Sequence, residues 1–338
     1  MTPREQLLNV LRGGKADRVP FTCYTGLMPP GADRIPNLLP VQSAALCHAE
    51  TPGVSTTAVE VSPGVRETRM TAPWGTLTQL AHTETGYGSS WTKEHWIKGP
   101  EDYAVVEQLI RHTTLTPHPE AYTAAREAVG DGGVVIAWTN RTPFQRLWIE
   151  YAGMERMALD MIDAPEAVAG VLDAMFEQSE RIMRMAAASE ARVIWIPDNI
   201  TGEMTGPPAF RKYLQPYYEM VCDILLPASK LPVTHMDGML RQIADEVART
   251  GLPVIEAFTP PPDGNLSVAE ARERWPGKAL WLNFPSSVHL SPPEEIKRAT
   301  EELVRQAGDG SGFVIGVTEN IPASVGARSL QAIGEVLA

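Results

Sequence analysis

The 338-residue chain has little cysteine: Cys23, Cys47 and Cys222 are too few for a disulfide framework and too widely spaced for a CxxC metal or redox motif. They also cannot furnish a cysteine-rich zinc site. A basic excess is missing as well. The 29 Lys and Arg stand against 41 Asp and Glu, a formal charge of −12, which argues against a nucleic-acid partner. No run approaches the ~18 apolar residues of a membrane span, and the opening MTPREQLLNVLRGG, charged at Arg4 and Glu5, has no signal-peptide core. There is no GxGxxG after a strand and no GxxxxGK(S/T), which weakens the dinucleotide and nucleoside-triphosphate readings. Ser286 and Ser287 lie in no GxSxG elbow. These absences lead to the expectation of a soluble cytoplasmic protein in a reducing compartment, with a small-molecule substrate and no membrane partner.

What is present is a rhythm. Short apolar runs at Val134–Trp138, Val193–Pro197, Pro232–His235, Val254–Phe258, Ala279–Asn283 and Phe313–Val317 read as strands buried on both faces of a parallel sheet. Amphipathic stretches separate them. One carries Val168, Val171, Leu172, Met175, Ser179, Ile182 and Ala186 on one face, behind a capping box of Asp163 and Glu166. A second, behind Ser291 and Glu294, carries Ile296, Ala299, Leu303 and Ala307. A third, from Phe210 to Leu225, is expected to kink at Pro216, and a fourth covers Gly238 to Arg249. With Val19–Cys23 as first strand and Val54–Val61 as second the count is eight. That favours an α/β fold, a (β/α)8 TIM barrel, as a single domain over 1–338. Residues 24 to 130 are irregular and are expected to make an excursion partly over the barrel mouth, with Trp74–Thr83 as a strand or hairpin arm.

Active sites of such barrels lie at the C-terminal strand ends. Strand four ends at Asp198 and Asn199, strand five at His235-Met236-Asp237-Gly238, strand six holds Glu256, strand seven ends at Asn283, and strand eight exits through Glu319. Asp198 reads as a catalytic residue or as a helix N-cap. Alternation puts His235 and Asp237 on one side of the chain, as metal ligands or as a structural His–Asp pair, and Asp237 could also be a turn residue before Gly238. Glu256 follows four apolar residues, and a buried ionised Glu needs a partner, so it is a candidate catalytic group. The tryptophans read as core, with Trp91 and Trp96 open to a pocket role.

The series Arg4-Glu5-Gln6-Leu7, Lys15 to Phe21, Thr142-Pro143-Phe144, Gly153 to Glu155, Asp163 to Glu166, Asp198 with Gly206 to Arg211, His235 to Gly238, Asn283, and Gly312-Phe313 to Asn320-Ile321-Pro322 resembles the uroporphyrinogen decarboxylase superfamily in order. The resemblance covers nearly the whole chain and implies a (β/α)8 barrel and, at family level, a possible homodimer. The decarboxylases carry an arginine-rich FRQAGRYxPEYR motif after the first strand, and a polycarboxylate substrate needs such cations. Cys23 to Gly31 has neither the arginines nor the QAGRY core. Glu319 also stands where the decarboxylases place a His.

The other branch is the corrinoid-linked methyltransferases. Their resemblance implies zinc on a His-x-Cys pair at strand five and a Cys at the strand-eight exit. His235 matches, while Asp237 and Glu319 replace the thiolates, so the implied metal set is His235, Asp237 and Glu319, binding zinc or another divalent metal. That set would suit an oxygen-bearing substrate, whose leaving oxygen a Lewis acid activates. The implied function is a metal-dependent, O-demethylase-like methyltransferase, with Asp198, Glu256 and His235 as catalytic residues. The methyl group would pass to a corrinoid on a separate protein, because no DxHxxG motif is present. The alternative is a metal-free decarboxylase or lyase acting on a small carboxylate, with Asp198 and Glu319 handling protons and His235 as a structural or acid partner.

Overall fold

The structure, a computed structural model, describes residues 1–83 and 90–338. The chain divides into two compact units, one of Met1–Leu46, His118–Thr139 and Met183–Ala338, the other of Cys47–Pro117 and Asn140–Ile182.

The first unit is a closed barrel of eight parallel strands: β1 (Phe21–Tyr24), β2 (Leu38–Ala45), β3 (Val134–Trp138), β4 (Val193–Ile196), β5 (Leu231–His235), β6 (Val254–Phe258), β7 (Ala279–Asn283) and β8 (Phe313–Val317). Each strand pairs with its sequence neighbours, and β1 closes on β8. Alternation sorts the side chains. Val134 and Ile136 of β3 join the central cluster with Val193, Leu231, Val233, Val254, Ala279, Trp281 and Val314, while Val135 packs outward on Ala44 and Ala125. Helix Pro3–Leu11, started by a capping box of Thr2 and Glu5, adds Leu7, Leu8, Val10 and Leu11 to that cluster.

Seven of the eight strands lie where the apolar runs place them. The second does not. β2 is Leu38–Ala45, whose Pro40, Gln42 and Ser43 break the apolar run that would have marked it. The expected strand Val54–Val61 is Ser55–Ser62, the outer member of an antiparallel sheet in the second unit and exposed along most of its length. Trp281 Nε1 donates to Thr22 Oγ1 at 2.9 Å inside the barrel, and a Cβ on Gly316 would come within 2.8 Å of that indole nitrogen. Glycine at that position is therefore a packing requirement.

The expected helix faces at Val168 to Ala186 are buried. Their boundaries differ from expectation. Asp163 ends helix Met154–Asp163 and the next begins at Pro165, so the Asp163 box does not form. Helix Pro293–Ala307 starts after Pro292 with no side-chain cap. A capping box does form at Ser267 and Glu270. The kink assigned to Pro216 is a π turn at Phe210–Leu214 ahead of helix Gln215–Leu225. The fourth helix shrinks to a 3-10 turn at Arg241–Ile243 and helix Ala244–Arg249.

The second unit holds a four-stranded antiparallel sheet, Ser55–Ser62, Val65–Ala72, Gly75–Thr83 and Ser90–Glu94, and a two-stranded ribbon, Cys47–Glu50 with Thr114–Pro117. The hairpin arm expected at Trp74–Thr83 is the third of those four strands. Helices Asp102–His112 and Met154–Asp163 and a π turn at Leu147–Ala152 complete most of it. Trp91 is exposed on this sheet, with its ring 4.3 Å from that of His82. Among the described residues no helix is long and apolar enough to cross a membrane.

Candidate active site

His235 is the last residue of β5 and pairs in register with Glu256 of β6. It continues the inward series Leu231, Val233, so its ring stands on the interior side at the C-terminal end. Glu256 is fully buried, and a lone carboxylate there would be costly. Three donors compensate it. Tyr24 Oη of β1 donates to Oε1 at 2.6 Å, and Trp195 Nε1 of β4 donates to Oε2 at 2.7 Å. The His235 Nδ1 lies 2.8 Å from that same Oε2. With Oε2 an acceptor, Nδ1 carries a proton.

The other ring nitrogen faces Asp237. His235 Nε2 is 3.5 Å from Asp237 Oδ2, longer than a good hydrogen bond. Burial would discharge this ring, but the Glu256 and Asp237 carboxylates outweigh it and raise its pKa to about 10. Burial likewise pushes the Asp237 carboxyl up, but His235 and Asn199 hold it below the usual carboxylate range. Burial and Glu256 drive the Tyr24 hydroxyl well above its ordinary value, consistent with a donor. The site is an imidazole ring held between the side chains of Glu256 and Asp237.

Backbone close packing places these groups. The β5 exit locks onto the β4 exit: Gly238 N donates to Ile200 O at 3.1 Å and Gly202 N to Met239 O at 2.8 Å. Asn199, in the left-handed region at φ 52°, then reaches Asp237 Oδ2 through Nδ2 at 2.8 Å. Beside Glu256, Ala257 has φ 55° and the β6–β7 pairing shifts register. Such strain in a non-glycine residue belongs where structure over-determines it.

The other expected site residues are placed differently. Asp198 is fully buried and accepts from Tyr218 Oη at 2.7 Å. Glu319 Oε2 accepts from Ser286 Oγ at 2.7 Å. Asn283 ties strand ends together, its Oδ1 accepting from Thr318 N at 3.1 Å. The expected ligand set thus reduces to His235 beside Asp237. Among the described residues, no three His, Cys, Asp or Glu side chains form a group able to hold a metal ion. A catalytic zinc takes three protein ligands. The donor set as arranged does not fit a resident metal.

Tyr24, Trp195 and Trp138 were not singled out from the sequence, where the tryptophans read as core. Trp138, next to Trp195 in the β3–β4 register, is 44% exposed at its strand end. The parity of Val134 and Ile136 and of Val193 was the available signal: it puts Trp138 and Trp195 on the inward side at the mouth.

Residues 82–337 match the uroporphyrinogen decarboxylase (URO-D) family. The chain belongs to the uroporphyrinogen decarboxylase family. This member uses the Cys23–Gly31 segment, where the resemblance puts the arginine-rich motif of the decarboxylases, to bring Tyr24 to Glu256. No curated protein matches the sequence. Among solved structures, a methyltransferase from Methanosarcina mazei is similar with a TM-score of 0.61 at 14% identity, covering 99% of this chain and 98% of its own. A putative vitamin-B12 independent methionine synthase from Listeria monocytogenes matches at 15% identity over 65% of this chain and 68% of its own, with a TM-score of 0.39. A glycoside hydrolase family 5 enzyme from Prevotella bryantii B14 matches at 10% identity over 65% and 75%, with a TM-score of 0.41. The first likeness bears on the fold of this family member, and the other two carry no argument.

Proposed function

We propose that this family member is a methyltransferase in which His235 is the general acid, acting on a small methylated substrate such as an aryl or alkyl methyl ether. The observation that carries the reading is the asymmetry of the imidazole. Nδ1 is held at 2.8 Å by Glu256, whereas Nε2 lies 3.5 Å from Asp237, too far for a good hydrogen bond. A methyl ether leaves poorly as an alkoxide or phenoxide, so its oxygen needs a proton or a Lewis acid. Here a Brønsted acid takes the role the family resemblance gives to zinc. As the C–O bond breaks, its electron pair passes to oxygen, the Nε2 proton follows, and an alcohol or phenol departs. The methyl group goes to a nucleophile, which we take to be a Co(I) corrinoid on a separate protein. Solvent then restores the Nε2 proton. Glu256, saturated by three donors, orients the ring and is not free to reach substrate. Family membership supports an enzyme of this class, and the full-length fold likeness to a methyltransferase agrees with the branch.

The test is anaerobic incubation with reduced cobalamin and a panel of methoxyarenes and alkyl methyl ethers, followed by the absorbance of methylcobalamin. Wild-type protein forms it from at least one donor, and His235→Gln lowers the rate by about 100-fold or more. No methylcobalamin from any donor, with carbon dioxide released from a panel of carboxylic acids, would establish the decarboxylase reading instead.

A further inference from the structure

We infer that Tyr24 is a positioning residue for His235, acting through the carboxylate of Glu256; this rests on the acid role proposed for His235. Glu256 projects from β6, and its partners come from three other strands. Trp195 of β4 and His235 of β5 both bond Oε2. Among the described residues, Tyr24 alone bonds Oε1. Its strand, β1, pairs with β8 and β2 rather than with β6, so the bond spans the barrel interior.

Two donors on one oxygen leave a carboxylate free to turn about its Cγ–Cδ bond. A third donor on the other oxygen fixes its plane. The aromatic contacts strengthen the arrangement: Trp195 meets Tyr24 edge-on at 6.0 Å and 78°, and meets His235 edge-on at 5.7 Å and 89°. The Tyr24 hydroxyl thereby sets the plane in which the carboxylate meets Nδ1, and with it the direction in which Nε2 points. Removing it orphans Oε1 in a fully buried position, and the cheapest relief is rotation of Glu256 away from the ring.

Tyr24→Phe removes the hydroxyl and keeps the ring against Trp195. Outer partners that orient a reacting imidazole are typically worth about 10 to 100-fold. That loss is expected in kcat, with KM near the wild-type value. A second readout needs no substrate: the Nδ1 resonance of His235 in protein labelled with 15N-histidine, assigned by its disappearance in His235→Gln. At constant pH, Tyr24→Phe is expected to shift or broaden that resonance. An unchanged His235 resonance would overturn the inference. If Tyr24→Phe does not fold, site-specific 3-fluorotyrosine at position 24 retains the hydroxyl as a stronger donor. The His235 resonance must then move, and an unmoved one overturns the inference. A changed resonance in a protein that transfers no methyl group leaves the positioning intact and removes the proposed function. Methyl transfer with an indifferent Tyr24→Phe does the reverse.

Discussion

Tyr24 and Glu256 stand 232 positions apart in the chain and share a 2.6 Å hydrogen bond. Closure of the barrel makes that contact, because β1 and β6 face each other across the interior. It turns an isolated buried carboxylate into one with a full set of donors, in a row of bonded side chains that ends at His235. The ring is set by groups on four strands.

Gly238 should not tolerate a side chain. A Cβ there would fall 2.5 Å from Thr201 Cβ and 2.6 Å from Ile200 O, and the latter is backbone that cannot swing aside. Gly238→Ala is expected to cost about 1–3 kcal/mol and to pull Asp237 from Asn199. Urea denaturation checks the stability, and a variant as stable as wild type would contradict the close packing.

Trp138 and Trp281 point to the same barrel interior with opposite roles. Trp281 is fully buried, and Trp281→Ala is expected to cost about 3–5 kcal/mol. Trp138 is 44% exposed at the mouth, so Trp138→Ala should change stability by under about 1 kcal/mol. Its effect should fall on substrate binding, raising KM roughly tenfold, the worth of one lost aromatic contact of about 1.4 kcal/mol. Steady-state kinetics and urea midpoints for the two variants separate these outcomes.

Metal removal should leave the chemistry intact. Activity is expected to survive exhaustive dialysis against a chelator, and Glu319→Ala should forfeit only the Ser286 hydrogen bond, about 1 kcal/mol. Elemental analysis of the purified protein and of His235→Ala checks this. Metal held by wild type and lost from His235→Ala would restore the ligand role.

His289 supplies a separate acid sensitivity. It is buried, its Nδ1 lies 2.6 Å from Ser329 Oγ, and burial lowers its pKa to about 4. The folded state keeps this ring neutral, while the unfolded chain protonates it near pH 6.5. Its stabilising contribution is present above about pH 6.5 and is lost as pH falls toward 4, by up to about 3 kcal/mol. Urea midpoints at pH 7 and pH 5 should differ less in His289→Gln than in wild type, and equal differences would count against the assignment.

Seven barrel strands were legible in the sequence because strands buried on both faces must be short, apolar and β-branched. β2 was not, because Pro40, Gln42 and Ser43 give it the look of a loop, and Ser55–Ser62, with its alternating valines, imitates a barrel strand while forming an exposed sheet edge. His235, Asp237 and Glu256 could be nominated because polar groups at the ends of apolar runs demand partners. The nature of those partners could not be read. Whether Glu319 joins His235 or turns to Ser286 depends on the path of the strand-eight exit, and strand parity alone marks Trp195 as inward while nothing local marks Tyr24. Local pattern alone determined seven strands of the barrel and the polar residues at their ends. Only closure of the barrel, which sets strands distant in sequence face to face, decided that Tyr24, Trp195 and His235 meet on the one carboxylate of Glu256.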